Sequence, residues 1–335
     1  MWVRRIVNAL KQAQARRATL LCHHNADPDA VCSAYALSKL LQRLHPQLNV
    51  ELAAAQGPSR LSKRILERIK AEFTEDPDIE AADVIFLLDT NNVQQLGGLG
   101  PRVLEVSAPI ILVDHHAPHP ETQRIAALCI VKEDATSTCE IVYELFKEAG
   151  VKPDLAEATA LFLGMAYDTR HFAIVNPSTF RTAAELAELG VDVAEALRLL
   201  SVPMDVSERV ARLKACQRMK LFEVDGWIIA TSHVSAYQAS AARAIIGLGA
   251  HVAVVAGKRD DQLQVSLRAT EEFHEKTGIH LGTDVAKPLG EYINGMGGGH
   301  PTSAGVNGTG ELEECLEKAV EILKKLIGKG GGKPP

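Results

Sequence analysis

Apolar residues enter this chain first as short unbroken runs. Residues 20–22, 84–88 and 110–113 carry only apolar side chains, the length of a strand buried on both faces rather than of a core helix. Between and after them, over 30–44, 59–71, 137–149, 155–166, 177–189 and 192–200, apolar positions recur at three- and four-residue spacing, the stripe of an amphipathic helix. Strands alternating with helices predict a parallel sheet with helices on both faces. Beyond about residue 202 the pattern changes. Residues 227–234, 252–256 and 263–268 read as strands, with a helix between the first two, then a glycine-rich loop over 295–299 and a last helix over 311–326. The expectation is an α/β protein. It has a parallel-sheet domain over 1–190, a helical connector over 191–220, a smaller α/β domain over 221–327 and a disordered tail over 328–335 of glycine, lysine and proline.

Composition narrows the function classes. The 335 residues are 46% hydrophobic and 23% charged, the balance of a soluble globular protein with room for two cores. A formal net charge of -6 excludes a basic coat for duplex DNA, so any nucleic-acid contact must be local. Only 4% of residues are aromatic, which argues against an extended base-stacking platform. The six cysteines form no C-x-x-C pair; reduced thiols in a cytoplasmic protein are the simple reading. The longest apolar stretch, 245–257, is interrupted by glycines and His251 and is too short to cross a bilayer. The basic opening, with Arg4, Arg5, Lys11, Arg16 and Arg17, runs straight into the first apolar run and reads as an opening helix rather than a targeting leader.

Chemistry sits where the runs end. The first delivers His23, Asp27 and Asp29, the second Asp89, and the third Asp114, His115 and His116. One acid after a strand is ordinarily a helix cap or turn former. Three in succession are not, because in an open parallel sheet the carboxyl ends of the strands converge on one rim. Carboxylates gathered there repel one another unless a cation neutralises them. Oxygen-rich ligation with imidazole suits manganese or magnesium better than a thiolate metal. More acids than one ion needs points to two ions sharing a carboxylate, the arrangement that clamps the oxygens of a phosphoryl displacement. Residues 133–138, Glu-Asp-Ala-Thr-Ser-Thr, fit the N-cap of the helix that follows.

In these residues the sequence resembles the DHH phosphoesterase family. The triplet is Asp114-His115-His116; a first motif is matched by His23, Asp27, Asp29 and Ala30, a second by Asp89-Thr90, and a fourth by Gly164, Asp168, Thr169 and Phe172. The DHH-associated C-terminal domain is matched by Gly297-Gly298-Gly299-His300 followed by Ser303-Ala304-Gly305. The order holds from about residue 19 to 326. The resemblance implies that His23, Asp27 and Asp89 hold one manganese ion, with magnesium a possible substitute. Asp29, Asp89, His115 and Asp168 would hold the other, Asp89 being the bridge. It further implies that His116 faces the scissile phosphate, that Asp114 orients a ring, and that Arg268, Gly297, Gly298, Gly299 and His300 grip substrate phosphates. The sequence departs from relatives at Ala26, Cys32 and Ser303, and it leaves His24 and His171 without a role.

The expected activity is hydrolysis of phosphate esters in single-stranded DNA or RNA or in short oligonucleotides. A phosphatase for a small nucleotide is the alternative, inorganic pyrophosphate a distant third, and a catalytically dead scaffold the non-enzymatic reading. The resemblance also admits a replication or repair protein as partner, and a homodimer.

Overall fold

The computed structural model describes residues 1–201 and 204–330. It divides into two compact units, Met1–Val202 and Pro203–Pro335. In order, the first unit contains α1 (Trp2–Gln12), β1 (Arg17–Cys22), α2 (Pro28–Leu44), β2 (Asn49–Ala54), α3 (Arg60–Ile69) and β3 (Val84–Leu88). There follow α4 (Leu99–Glu105), β4 (Ile110–Asp114), α5 (Pro120–Ile125), β5 (Ala126–Val131), α6 (Thr138–Ala149), α7 (Leu155–Asp168), α8 (Pro177–Glu188) and α9 (Val193–Leu200).

The five strands pair in the order β2-β1-β3-β4-β5, every pair parallel. Successive residues of a strand face opposite sides, and the buried clusters follow that alternation. Leu20, Cys22, Phe86, Leu88, Ile111 and Val113 join the core built with α2, α6 and α7. Leu21, Ile85, Leu87 and Leu112 join a second core with Val93, Leu96 and Val103. Both faces are therefore covered, which is why β3 and β4 read as uninterrupted apolar runs. Strands β2 and β5 escaped sequence reading because they lie at the sheet edges, where side chains are only partly buried and the apolar signal is diluted.

The second unit contains α10 (Val206–Gln217), β6 (Lys220–Val224), β7 (Trp227–His233), α11 (Gln238–Gly247), β8 (Val252–Arg259), β9 (Gln262–Ala269) and α12 (Glu271–Thr277). A six-residue π-helical segment, Leu281–Ala286, leads into α13 (Lys287–Tyr292), β10 (Met296–Gly299), β11 (Ser303–Thr309) and α14 (Leu312–Gly330). Its sheet runs β10-β11-β9-β8-β7-β6. All pairs are antiparallel except β7 with β8.

Two expectations need correction. The glycine run is a strand, not a loop. A side chain at Gly297 would meet the Ala286 carbonyl oxygen at 1.8 Å, and one at Gly299 the Ser303 carbonyl oxygen at 2.4 Å. The glycines let β10 lie backbone to backbone against the π-helical segment and its neighbour, which no residue with a Cβ permits. The supposed disordered tail begins too early, since α14 continues through Gly330; residues 331–335 lie outside the described residues. The 191–220 segment contributes α9 to the first unit and α10 to the second.

Candidate metal centre

The carboxyl ends of β1, β3 and β4 place His23, Asp89 and Asp114-His115-His116 on one rim. The start of α2 adds Asp27 and Asp29, and the last turn of α7 adds Asp168. Three groups of side chains there bring potential ligand atoms within 4.8 Å of one another: His23, Asp27 and Asp89; Asp29, His115 and Asp168; and Asp89, Asp114, His115 and His116.

Asp89 is common to two of these groups, and its two oxygens face different ways. Oδ2 lies 4.0 Å from His23 Nε2, while Oδ1 lies 3.6 Å from His115 Nε2. The residue sits at φ +52°, a left-handed conformation that costs an L-residue energy and is found where the surroundings impose it. The hydroxyl of Thr138 donates to Asp89 Oδ1 at 2.9 Å.

Asp29 is fully buried. Its oxygens accept the backbone N–H groups of Thr138 at 2.6 Å and Cys139 at 3.0 Å, the exposed donors of the α6 N-terminus. Burial, together with the charges of Asp89 and Asp168, pushes its carboxyl pKa upward. A methyl group at Gly164 in α7 would lie 2.4 Å from Cys139 Sγ and 3.0 Å from Asp29 Oδ1, so glycine there gives the carboxylate its space. Asp27 combines both readings available from sequence: it caps α2 by accepting from Ala30 N at 3.1 Å, and it lies 3.9 Å from His23 Nε2.

The histidine tautomers follow from their partners. His23 Nδ1 lies 2.9 Å from the His24 carbonyl oxygen, which can only accept, so Nδ1 carries the proton and Nε2 faces the acids. That is the habit of a metal-ligating histidine. His115 Nε2 is 3.1 Å from Asp168 Oδ2 yet buried without a hydrogen bond. A nitrogen aimed at carboxylates without bonding to them fits a ligand of a shared cation. Asp114 Oδ1 receives both the backbone N–H of His116 at 2.8 Å and its Nδ1 at 2.9 Å; this leaves His116 Nε2 outermost on a side chain 53% exposed.

The electrostatics call for positive charge. Burial lowers the pKa of His23 and His115, but Asp27 for the first and Asp168 for the second outweigh it, and each ring is held at about 9. His116 rises to about 10, chiefly through its bond to Asp114. Rings that take up protons so readily sit in an excess of carboxylate, the condition a divalent cation relieves. The donors are oxygens and imidazole nitrogens, a set that suits manganese or magnesium. Cys22, Cys32 and Cys139 are buried nearby, and burial raises their thiol pKa well above normal, which keeps them neutral.

In the second unit, Arg268, Gly298 and Gly299 line one hollow of about 380 Å³. Gly297 does not line it, being packed on Ala286, and neither does His300, an exposed residue that closes the β10–β11 turn through its backbone with Ser303. His24 bonds the Gln95 carbonyl through Nδ1. His171 is exposed in a left-handed turn with Arg170 and Phe172 that follows Asp168.

Residues 17–165 match the model of the DHH family N-terminal domain, and residues 237–329 match the DHHA1 domain. The chain is 36% identical over 312 residues to an uncharacterized protein of Methanocaldococcus jannaschii, covering 92% of each. It is 25% identical to the bifunctional oligoribonuclease and PAP phosphatase NrnA of Thermus thermophilus over 98% of this chain and 95% of that one. Among solved structures, an exopolyphosphatase-related protein from Bacteroides fragilis superposes with a TM-score of 0.65 at 19% identity, over 98% of this chain and 95% of that one; at that identity the likeness concerns the fold. The chain belongs to the DHH family of phosphoesterases, with a DHHA1 domain at its C-terminal end.

Proposed function

We propose that the protein is a two-metal phosphodiesterase that hydrolyses single-stranded nucleic acid or short oligonucleotides. The observation that carries the reading is Asp89, whose two oxygens face imidazoles of two different ligand groups. His23, Asp27 and Asp89 would hold one manganese ion, and Asp29, Asp89, His115 and Asp168 the other. Such ions supply Lewis acidity toward water and phosphate when bound.

The chain's own groups do the rest. Thr138 and the α6 N-terminus hold Asp89 and Asp29 in place before substrate arrives. His116 keeps Nδ1 on Asp114 and turns Nε2 outward, where a proton passes to the departing oxygen. A positioned acid of this kind contributes about 10²- to 10⁴-fold in rate. Arg268, in the second unit, is the side chain this reading assigns to a substrate phosphate; among the described residues its guanidinium bonds only the Leu267 carbonyl oxygen, leaving donors free for an anion.

The alternative is a phosphatase for a small nucleotide, in keeping with the second activity in the name of the Thermus thermophilus relative. The two separate on substrate length. Manganese-loaded protein given end-labelled DNA and RNA of increasing length, beside phosphoadenosine phosphate, is expected to shorten oligonucleotides. Turnover of the mononucleotide alone would establish the alternative. Asp89→Ala is expected to abolish turnover with the fold intact, and a substantially active Asp89→Ala protein contradicts the bridging role.

A further inference from the structure

The last turn of α7 delivers Asp168 to the metal centre, and the chain then bends back through a strained segment. Arg170, His171 and Phe172 follow one another at φ +50°, +58° and +65°, the left-handed region that disfavours residues with a Cβ. The His171 N–H bonds the Ala166 carbonyl oxygen at 2.7 Å, and the Phe172 N–H bonds the Thr169 hydroxyl at 3.1 Å. Strain held this firmly beside reactive groups points to a use.

The turn sorts its side chains. The Phe172 ring goes inward, 5.3 Å from the buried Phe162 ring, while Arg170 and His171 stay exposed. Phe180, in the first turn of α8, stacks on Phe172 with centroids 6.4 Å apart and planes 25° apart. One face of Phe180 is thus backed by a ring anchored in the core. The side chain is nonetheless 56% exposed, more than any other Phe, Tyr or Trp among the described residues.

A second tie fixes it to the metal centre. The hydroxyl of Thr179 donates to Glu140 Oε2 at 3.3 Å and lies 3.0 Å from the Thr136 hydroxyl. Glu140 is buried in α6, two residues after Thr138, whose N–H and hydroxyl hold Asp29 and Asp89. Phe180 is therefore mounted on both elements that place metal-centre acids, the end of α7 and the start of α6.

Cations flank it along the chain. Arg181 directly follows Phe180, and Arg170 lies two residues beyond Asp168. Both are exposed, and neither guanidinium has a hydrogen bond or ion pair among the described residues. A rigid, open ring between unengaged guanidiniums suits a nucleotide, which offers a π-face to the ring and phosphates to the arginines. The chain has too few aromatic residues for an extended stacking platform, but one base needs only one ring.

We propose that Phe180 stacks a base of the substrate strand beside the metal centre, with Arg170 and Arg181 holding its phosphates. The inference rests on the proposed nucleic-acid substrate and adds to it the group that grips a base in the first unit. Stacking on an open ring tolerates every base, so this seat demands a base without reading which one it is.

The test is calorimetric titration of manganese-loaded protein with AMP and with ribose 5-phosphate, which keeps the sugar and phosphate and lacks the base. Wild type is expected to bind AMP about tenfold more tightly, the size of one stacked base. Phe180→Leu, which keeps an apolar cover on Phe172, is expected to bring the two ligands within about twofold, and Phe180→Trp to restore the gap. With pApA as substrate, Phe180→Leu is expected to raise KM about tenfold with a much smaller change in kcat and an unchanged affinity for manganese. Arg181→Gln is expected to weaken AMP and ribose 5-phosphate alike, since both carry the phosphate. Equal binding of the two ligands by wild type, or a gap that persists in Phe180→Leu, overturns the inference. So does a loss of manganese affinity in Phe180→Leu, because the ring would then support the metal centre rather than the substrate. Failure of wild type to hydrolyse pApA strikes the phosphodiesterase reading instead, and the comparison of AMP with ribose 5-phosphate still decides the role of Phe180.

Discussion

Thr138 touches both halves of the acid cluster: its backbone N–H bonds Asp29 and its hydroxyl bonds Asp89. A hydrogen bond to a charged group contributes about 1.5–3 kcal/mol, and partners that orient ligands typically alter metal affinity about 10- to 100-fold. Thr138→Val, which keeps the shape and removes the hydroxyl, is expected to weaken manganese binding by that factor in a calorimetric titration, and Thr138→Ser to restore it. Equal affinity in the valine variant would remove Thr138 from the site. Seven of the acids and histidines, His23, Asp27, Asp29, Asp89, Asp114, His115 and His116, were legible in the sequence because they follow apolar runs, whereas Asp168, at the end of α7, was named only through the family resemblance. Thr138 was not legible: the Ser137 cap accepts from Glu140 N at 3.1 Å as the local sequence suggested, and that local role explains the segment well enough to hide its contact with Asp89, 49 residues away.

Two glycine-bearing elements show why element type is easier to read than element packing. In α7, Gly164 lies in an unbroken buried apolar stretch, 160–166, and the length of the apolar segment finds the helix. Only the packed structure shows that a side chain there would strike Cys139 and Asp29. Gly164→Ala is expected to destabilise the first unit by about 1–3 kcal/mol, the usual cost of overpacking, read as a lower denaturation midpoint together with weaker manganese retention. A stable variant with normal metal binding would contradict the close approach. In β10 the glycines looked like a flexible loop because nothing in a run of glycines declares which neighbour lies against it. Gly297→Ala is expected to disrupt the second unit, because its methyl group would fall on the Ala286 carbonyl. Gly298→Ala, in open space, should leave the circular dichroism and melting curve unchanged. Equal tolerance at both positions would contradict the packing of β10 on the π-helical segment.

Across the whole molecule, the parallel sheet of the first unit does the chemical work of convergence. Strands β1, β3 and β4 are neighbours and all point the same way, so residues more than 60 positions apart in the chain end on one rim. That architecture was readable from the alternation of buried strands and helices; in the second unit the largely buried β7, β8 and β9 were read as strands, whereas the more exposed β6, β10 and β11 were not. The central claim is that the first unit holds two divalent cations joined through Asp89. The most direct measurement is manganese stoichiometry of the purified chain by calorimetry, with electron paramagnetic resonance to detect spin coupling between bound ions. The account predicts two manganese ions per chain, magnetically coupled, with Asp89→Asn losing the coupling and at least one ion. A single ion per chain, or two uncoupled ions that Asp89→Asn leaves undisturbed, would contradict it.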